Sequence, residues 1–394
     1  MRRLAVTFVL FSLMVISTTS CTGVRQINQL AIVAAVGLDL GEKPGTIRLS
    51  AQIIRPADAR GQTGAPSGGT GQPIYSVSAE GKTIFEAIRN LGRFTSRRVY
   101  WAHNFLIVMH EDYARKGIND MVDFFTRNHE LRMSTWVAVT PNRPDEVIAT
   151  ITGLEVVPGE AVDRLFSNNH IVGQAPASNM MNLEETHLNA TTQSLLARLQ
   201  LVPRGISNKK PEEHGSIKQV ELAGSAAFHD DKMVGWLTTK ETRGVLFFLE
   251  RLDNGIEVVS CPEGDEKISL EFHNARLKVE PFYRQSKPQF NITLKTDADI
   301  VESGCNSTLT GKKHEITQKL EQQLKQRVES AVDKAKQYHT DILKLGEIFH
   351  NKYPQEWRTL GPRWDTIFSE LEPTIQVKAS IKSTVVKVMG TKVK

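Results

Sequence analysis

The sequence predicts an α+β protein of several domains, with a C-terminal antiparallel sheet packed by one long helix. Residues 21–202 mix short apolar strands with amphipathic helices, which predicts a mixed α/β N-terminal region. A polar stretch interrupted by Pro and Gly follows at 203–219 and predicts a linker. Residues 220–390 then place a series of strands before a single long amphipathic helix, the order expected of a sheet covered by a helix.

The segment 1–20 has the order of a secretory signal peptide. The basic residues Arg2 and Arg3 precede an apolar run at Leu4–Ile16, and small residues follow it. The run is shorter than the roughly 20 residues that a permanent membrane-spanning helix needs. Cys21 comes directly after the small residues, which predicts cleavage before Cys21 and lipidation of its thiol. The alternative is an ordinary cleaved signal peptide in which Cys21 carries no lipid.

Apolar patterns in the N-terminal region alternate between strand-like and helix-like periods. They predict strands at 29–40, 46–54, 74–77, 105–109 and 133–140, and helices at 83–94 and 114–128. The glycine-rich segment 61–71 predicts a flexible loop. Residues 142–202 look mainly helical, with one helix within Asn182–Leu201, so the region divides into two subdomains near residue 142 in one interpretation.

The C-terminal region begins with strands and ends with a helix and a closing strand. Apolar runs and alternation predict strands at 222–228, 233–237, 244–249, 256–260, 268–279, 289–300 and 374–388. A helix is predicted from about His314 to Leu345, because its apolar residues recur at steps of three and four. They form one stripe, so this helix is expected to pack against the sheet.

Composition and charge narrow the class of protein. Hydrophobic residues make up 40% of the chain and charged residues 24%, which is ordinary for a globular protein. The formal net charge is +5, and loss of Arg2 and Arg3 with the signal peptide would leave +3. This charge is too mild to predict binding of nucleic acid. It is compatible with a position near an anionic lipid surface but does not require one.

Two cysteines remain once Cys21 is set aside. Cys261 and Cys305 lie in turn-like segments, and an extracytoplasmic compartment permits a disulfide between them. Two free thiols are the alternative, and the sequence leaves both open. There is no Cys-x-x-Cys motif or Cys/His cluster, so no zinc site is predicted.

Motifs that could carry chemistry are incomplete. Gly81-Lys82-Thr83 resembles the end of a phosphate-binding loop, but Ser76 stands where that loop needs a Gly, so a helix N-terminus is predicted instead. Asp297 and Asp299 share one face of a predicted strand and could reach one metal ion, although acidic residues at a strand end are more often solvated. We therefore predict no catalytic, metal or cofactor site, and expect a protein that is not an enzyme.

Other polar residues have both a functional and a plain interpretation. His229-Asp230-Asp231 lies in a predicted hairpin turn, and His103 and His110 flank an apolar strand without a third metal ligand. Arg97 and Arg98, close to Tyr100 and Trp101, could contact lipid headgroups or a protein partner, or could form a solvated strand edge.

Several segments together resemble the Ger(x)C family of spore germination lipoproteins. They follow the family's order along nearly the whole chain, at 25–39, 98–103, 224–244 and 338–368. The most specific is Tyr338–Glu347 (YHTDILKLGE), which is followed by Lys352–Pro354, Glu356–Trp357, Trp364 and Phe368.

The resemblance implies a non-enzymatic C subunit of a spore germinant receptor, folded as several mixed α/β domains. It implies a position on the outer face of the spore inner membrane, with lipid (palmitate) on Cys21 as the tether. The implied partners are the two integral membrane subunits, A and B, of the same receptor. The assembled receptor would respond to small nutrients and start germination, and the chain would act through protein–protein contacts.

Two other classes of protein remain open at this point. An anchored extracytoplasmic solute-binding lipoprotein is the main alternative, although that class usually has two lobes with parallel sheets. A secreted hydrolase is the other, and only the missing motifs oppose it. Specific ligand binding by the purified chain would favour the first, and turnover lost on mutation of one carboxylate or Ser would favour the second.

Overall fold

A computed structural model describes residues 29–54, 74–150, 157–168, 173–189, 191–206, 216–249, 252, 254–306, 309 and 311–384. The predicted signal peptide, Cys21 and the glycine-rich segment 61–71 lie outside the described residues. Among the residues that are described, no helix is both long and apolar enough to cross a bilayer.

The first sheet has nine strands: β1 (Leu30–Leu40), β2 (Ile47–Ile54), β3 (Ile74–Gly81), β4 (Arg98–Tyr100), β5 (Leu106–His110), β6 (Trp136–Thr140), β7 (Leu195–Ile206), β8 (Ser216–His229) and β9 (Lys232–Leu237). Their order is β3-β2-β1-β5-β6-β7-β8-β9, with β4 also paired to β1. The central strands β1, β5, β6 and β7 are parallel, whereas the outer pairs are antiparallel. The outer strands pair with their neighbours along the chain, whereas helices lie between the central strands in the sequence.

Helices pack on both faces of the first sheet. One face carries α1 (Ile84–Leu91), α2 (Glu111–Lys116), α3 (Asn119–Arg127) and α6 (Met180–Leu188), and the other carries α4 (Pro144–Ala149) and α5 (Pro158–Ser167). Strand β1 serves both cores, because Val36 and Leu38 lie in the first and Ala35 in the second. A strand covered on both faces is apolar throughout, as the run at 29–40 predicted.

The second sheet consists of β10 (Asn254–Ser260), β11 (Lys267–Arg284), β12 (Lys287–Ser303) and β13 (Thr374–Thr384), in that order. Helix α8 (Lys313–Gln337) lies against it and buries Ile316, Leu320 and Leu324 in a core shared with the strands. This confirms the predicted sheet packed by a long helix. The final pair differs from the antiparallel prediction, since β12 and β13 run parallel. The chain between them crosses over through helices, and such a connection returns it in the same direction.

Short helices complete the C-terminal region: α7 (Thr239–Leu249), α9 (Leu345–Lys352), α10 (Pro354–Leu360) and α11 (Trp364–Ser369). The predicted strand at 244–249 is wrong, because these residues belong to α7. Val245, Leu246 and Phe247 are all buried, so the helix contacts apolar neighbours around most of its surface. A short continuous apolar run fits a buried helix as well as a buried strand.

Two further predictions are corrected by the strand pairing around β7. The helix expected within Asn182–Leu201 ends at Leu188, and the apolar residues after it form a strand. Ala197 and Leu199, two residues apart, both face one core, and β6 and β8 flank the strand. The segment expected to be a linker contains paired strand residues at 203–206 and 216–219, so β8 and β9 extend the first sheet as far as Leu237.

The long helix ends earlier than predicted, at Gln337 instead of Leu345. His339 and Lys344 both have positive φ, with values of 50° and 59°. These left-handed conformations interrupt the helix, and Lys344 caps α9. The division of the chain into domains remains a prediction.

Candidate functional site

The Tyr338–Glu347 segment connects the two halves of the molecule. The Tyr338 hydroxyl donates to the carbonyl oxygen of Trp236 in β9 at 2.9 Å. The Thr340 hydroxyl donates to the carbonyl oxygen of Phe228 in β8 at 2.5 Å, and Thr340 is fully buried. The end of α8, which covers the second sheet, is therefore fixed to the edge of the first sheet.

Asp341 follows Thr340 directly and organises the helices after it. Its carboxylate accepts hydrogen bonds from the backbone N–H of Leu345 (3.0 Å) and of Gly346 (2.6 Å), and from the Trp364 indole (2.8 Å). The side chain is buried, and burial raises the pKa of Asp341 to about 6 although the three donors act in the opposite direction. The carboxylate thus positions the start of α9 and the side chain of α11 together.

Aromatic side chains fill the space between α9, α10, α11 and the second sheet. Phe349 is fully buried, and its ring lies 6.0 Å from Trp364, 5.0 Å from Tyr353 and 6.2 Å from Phe290 of β12. Trp357 is 5.0 Å from Trp364. The aromatic residues that carry the family resemblance are therefore a structural core.

A second buried carboxylate joins α7, β10 and α8. Glu257 is 1% exposed and accepts from Arg243 at 3.1 Å, Arg327 at 2.9 Å and Gln323 at 2.8 Å. Burial alone would raise the pKa of Glu257, but the hydrogen bonds from Arg327 and Gln323 and the two positive charges hold it below its ordinary value. Glu257 is therefore a charged structural group, and its carboxylate oxygens already accept hydrogen bonds from Arg243, Arg327 and Gln323.

The structure joins Cys261 and Cys305 by a disulfide, with 5.7 Å between their Cα atoms. The bridge links the residue after β10 to the end of β12, and both cysteines are buried. It lies at one end of the second sheet, where Ile316 of α8 belongs to the same core. Of the two alternatives that the sequence left open, the structure has the bridged one.

A surface cleft of about 780 Å³ lies between α1, α3 and β4, and we refer to it as the β4 cleft. Its apolar lining includes Phe85, Phe124 and Trp101, and its basic lining residues are Lys82, Arg89, Arg97, Arg98 and Arg127. Three acidic residues, Asp120, Asp123 and Glu130, also line it.

The sequence-predicted residues Arg97 and Arg98 both line the β4 cleft. Arg98 pairs with Glu130 at 2.8 Å, whereas Arg97 is exposed and no pairing to a described residue is found. Tyr100 and His103 have their rings 6.5 Å apart, and Trp101 is 4% exposed. The two arginines thus belong to a concave surface and not to a plain strand edge.

Lys82 and Thr83 form a helix N-terminus, as predicted. The Thr83 hydroxyl accepts from the backbone N–H of Glu86 at 3.1 Å, and the Glu86 carboxylate accepts from the N–H of Lys82 at 2.7 Å. These hydrogen bonds satisfy donors that a phosphate-binding loop would leave to its ligand.

Asp297 and Asp299 contact cationic or histidine side chains instead of each other. Asp297 pairs with Lys382 at 3.2 Å, and Asp299 lies 3.2 Å from the Nε2 atom of His273. Within the described part of the chain, no group of three or more His, Cys, Asp or Glu side chains is arranged to hold a metal ion.

The other predicted polar residues have local structural contacts. His110 caps α2 by accepting from the N–H of Asp112 at 3.3 Å, and it lies 3.5 Å from Asp39, whose pKa is raised by burial. His229 and Asp230 lie in the β8–β9 turn, where His229 contacts Asp365 of α11 at 3.1 Å. Asp231 accepts there through its backbone carbonyl from the N–H of Ile118 at 2.9 Å.

Sequence reasoning missed the roles of Asp341 and Glu257. Asp341 lies within the Tyr338–Glu347 segment that carries the family resemblance, but the sequence around it does not distinguish it from an exposed acidic residue. Glu257 had a usable signal, because it alternates with Gly255 and Val259 on the inward face of a strand. A charged residue at an inward position predicts a buried partner.

Comparison with known proteins matches both halves of the chain to one family. Residues 23–201 match the family described as "Spore germination protein N-terminal domain", and residues 223–385 match "Spore germination B3/ GerAC like, C-terminal". The chain is 24% identical over 390 residues to "Spore germination protein KC" of Bacillus subtilis (strain 168), covering 95% of each chain. It is 24% identical over 368 residues to "Spore germination protein B3" of the same organism, covering 91% of this chain and 92% of the relative.

One solved structure, titled "Crystal Structure of the GerBC protein", has the same fold. The match has a TM-score of 0.52 and 19% identity, and it covers 91% of this chain and 99% of the other. This likeness supports the α+β arrangement over nearly the whole chain.

The class that these findings define is that of the spore germination proteins. Within it, the chain belongs to the Ger(x)C family, the C subunits of spore germinant receptors. This confirms the resemblance seen in the sequence. The family is one of receptor subunits and is not known as a family of enzymes.

Proposed function

We propose that this chain is the lipid-anchored subunit of a spore germinant receptor, held on the outer face of the spore inner membrane through Cys21. The observation that carries the proposal is the match to spore germination proteins over more than nine-tenths of each chain. The signal-peptide pattern that ends directly before Cys21 supports the anchor. Two or more acyl chains would make that anchoring stable, whereas one chain gives only marginal binding.

The proposed partners are the integral membrane A and B subunits of the same receptor. A subunit that acts through contacts can change the receptor's response only if it binds the resting and active states with different affinity. The connection between the two sheets at Tyr338 and Thr340 supports such a role, because it ties a surface on one half to a surface on the other.

The receptor role is tested in spores that lack this chain, compared with the same spores in which the intact chain is restored. We expect the response to nutrients to fall in the deletion spores and to recover with the restored chain. Germination by a non-nutrient trigger should stay unchanged in both, because that trigger bypasses the receptor. A nutrient response that is unaffected by the deletion, in a strain where no relative replaces the chain, contradicts the proposal.

The partners are tested by purifying a tagged chain from solubilised spore membrane. The A and B subunits should be recovered with it in comparable amounts. Recovery of neither subunit under conditions that preserve their own pairing contradicts the proposed assembly.

A further inference from the structure

We propose that the β4 cleft binds the anionic headgroups of the membrane that carries the anchor. The inference rests on the proposed function for the tether at Cys21, and it adds a second contact between the chain and the membrane. That contact is electrostatic and involves residues of the folded protein.

The tether enters the fold beside the cleft. Leu30, the first residue of β1, pairs with Arg98 of β4, and Ala31 pairs with Val99. Arg98 and Val99 both line the cleft. Cys21 precedes Leu30 by only nine residues, and nine extended residues reach at most about 30 Å. A folded chain of this size has a diameter of roughly 50 Å. The side of the protein that bears the cleft is therefore the side that the tether keeps close to the bilayer.

The charge of the cleft suits an anionic surface. Its lining has five Lys and Arg residues against three Asp and Glu residues. Two of the acids are matched within the cleft, since Arg98 pairs with Glu130 at 2.8 Å and Arg127 with Asp123 at 2.6 Å. The third, Asp120, accepts from the Tyr113 hydroxyl at 2.7 Å. Lys82, Arg89 and Arg97 are exposed and have no salt bridge to any residue of the described chain.

The apolar part of the cleft suits the boundary between headgroups and acyl chains. Phe85 is 52% exposed although it is a large aromatic residue, and the Arg89 guanidinium lies 4.8 Å from the centre of its ring. The Phe124 ring is 6.4 Å from Phe85. Aromatic rings beside exposed cations are the combination that favours the membrane interface. A headgroup phosphate would contact the arginines while Phe85 approaches the acyl region.

The test uses the mature chain with Cys21→Ala, so that no acyl chain contributes to binding. The probes are vesicles of phosphatidylcholine alone and vesicles that also contain phosphatidylglycerol, and the readout is cosedimentation. We expect binding to the phosphatidylglycerol vesicles only. This binding should weaken as salt is raised. The Debye length is about 8 Å at physiological ionic strength and shortens with added salt, so the attraction between the exposed cations and the anionic surface is screened.

The variant Arg89→Glu/Arg97→Glu reverses two cleft charges and should lower the apparent affinity for phosphatidylglycerol vesicles by at least about tenfold. The matched control is Lys240→Glu/Lys378→Glu, which makes the same change in net charge at exposed positions outside the cleft. It should change the affinity less than about twofold. Circular dichroism checks that both variants are folded.

Phe85→Trp gives a second measurement that does not depend on the charge variants. Its added fluorescence, relative to the parent chain, should shift to shorter wavelength with phosphatidylglycerol vesicles. Absence of binding to these vesicles overturns the proposal and favours a protein partner as the occupant of the cleft. An equal loss in the control variant overturns it too, because binding would then follow net charge alone. Neither result bears on the anchor, which is read separately from the membrane fraction of spores.

Discussion

Asp341 is a carboxylate that the fold encloses among donors. Three hydrogen bonds reach it, from two backbone N–H groups and one indole. A buried carboxylate with this many donors organises its neighbours, but burial still penalises its charged form. The contribution of Asp341 to stability therefore depends on pH.

We predict that Asp341→Asn removes this pH dependence. The pKa is about 6 in the folded protein against an ordinary value of 3.8, so the folded state holds the proton more tightly than the unfolded state. The stabilisation is present below the unfolded pKa and is lost as pH rises through the folded pKa. The free energy of unfolding of the parent chain, relative to Asp341→Asn, should fall by about 2 kcal/mol between pH ~4 and ~7.

Urea unfolding at each pH measures this difference. Trp364→Phe is the matched control, because it removes one donor to Asp341 but keeps the group that titrates. This control should retain the pH dependence. A free-energy difference between the parent chain and Asp341→Asn that stays constant with pH contradicts the prediction.

Glu257 is a second buried carboxylate, but its pKa is lowered where that of Asp341 is raised. Arg243 and Arg327, whose side chains are 11% and 17% exposed, both pair with it. Glu257→Gln should lower the free energy of unfolding by about 3–5 kcal/mol, because it leaves two largely buried cations without a counter-charge. Chemical denaturation at neutral pH measures the loss. Glu329→Gln, at a solvent-facing pair on α8, should cost no more than about 0.5 kcal/mol.

The alternation of β10 was enough to place Glu257 on the inward face, but the sequence could not supply its partners. Arg327 is 70 residues further along the chain. Such a pairing depends on how α8 lies over β10, which local patterns do not determine. The contacts of Asp341 raise the same difficulty, since Trp364 is 23 residues away.

At the scale of elements, the close approach of α7 and α8 depends on one glycine. A Cβ atom at Gly244 would lie 2.1 Å from the carbonyl oxygen of Arg327 and 2.8 Å from the Cβ of Ala331. The obstacle is backbone, so α7 would have to move. Gly244→Ala should therefore destabilise the protein by about 1–3 kcal/mol even though Ala favours helices.

Thermal or urea unfolding checks this prediction, with Lys240→Ala as the control at an exposed position of the same helix. The control should change the free energy of unfolding little. If Gly244→Ala were as stable as the parent chain, the packing of α7 against α8 would be wrong.

The disulfide is the second element-scale feature. It closes a loop of 44 residues that contains β11 and β12. Replacing Cys261 and Cys305 together by Ser should lower the free energy of unfolding by about 3–4 kcal/mol in the chain-entropy account. Unfolding of the parent chain with and without a reductant gives the companion measurement. Equal stability of the parent and the double variant under oxidising conditions contradicts the bridge.

Long, clearly patterned elements could be predicted from the sequence, and short apolar ones could not. Helix α8 was found because its stripe persists from Ile316 to Ala335, and β11 and β12 because they alternate over many residues. The run at 244–249 is apolar at nearly every position, and the run starting at Leu195 spaces its leucines in a way that fits a helix as well as a strand. Their neighbours decide between helix and strand, and these neighbours come from distant parts of the chain.

At the scale of the whole molecule, the first sheet extends further along the chain than the sequence predicted, because β8 and β9 belong to it. The polar stretch at 203–219 lies close to the gap between the two family matches, which end at residue 201 and begin at residue 223. Even so, β8 and β9 pair into the first sheet, and Tyr338 and Thr340 bind them from the end of α8. Composition marks a change in character along the chain, whereas sheet membership depends on strand pairing.

The β4 cleft could be predicted only in part. Arg97 and Arg98 stood out as exposed cations beside aromatic residues. Phe85 and Arg127 join them only because α1 and α3 pack beside β4. The sequence supplied the residue types, and tertiary packing brought them to one surface next to the start of β1.

The central claim is an anchored receptor subunit, and spores carrying Cys21→Ala in place of the intact chain test it most directly. Inner membrane is isolated and washed at high salt, which screens the electrostatic contact proposed for the β4 cleft, and nutrient-triggered germination is measured in the same spores. The account predicts that the variant leaves the membrane fraction and that the nutrient response falls, while non-nutrient germination persists. Full retention of the variant in the membrane with an unchanged nutrient response would contradict it.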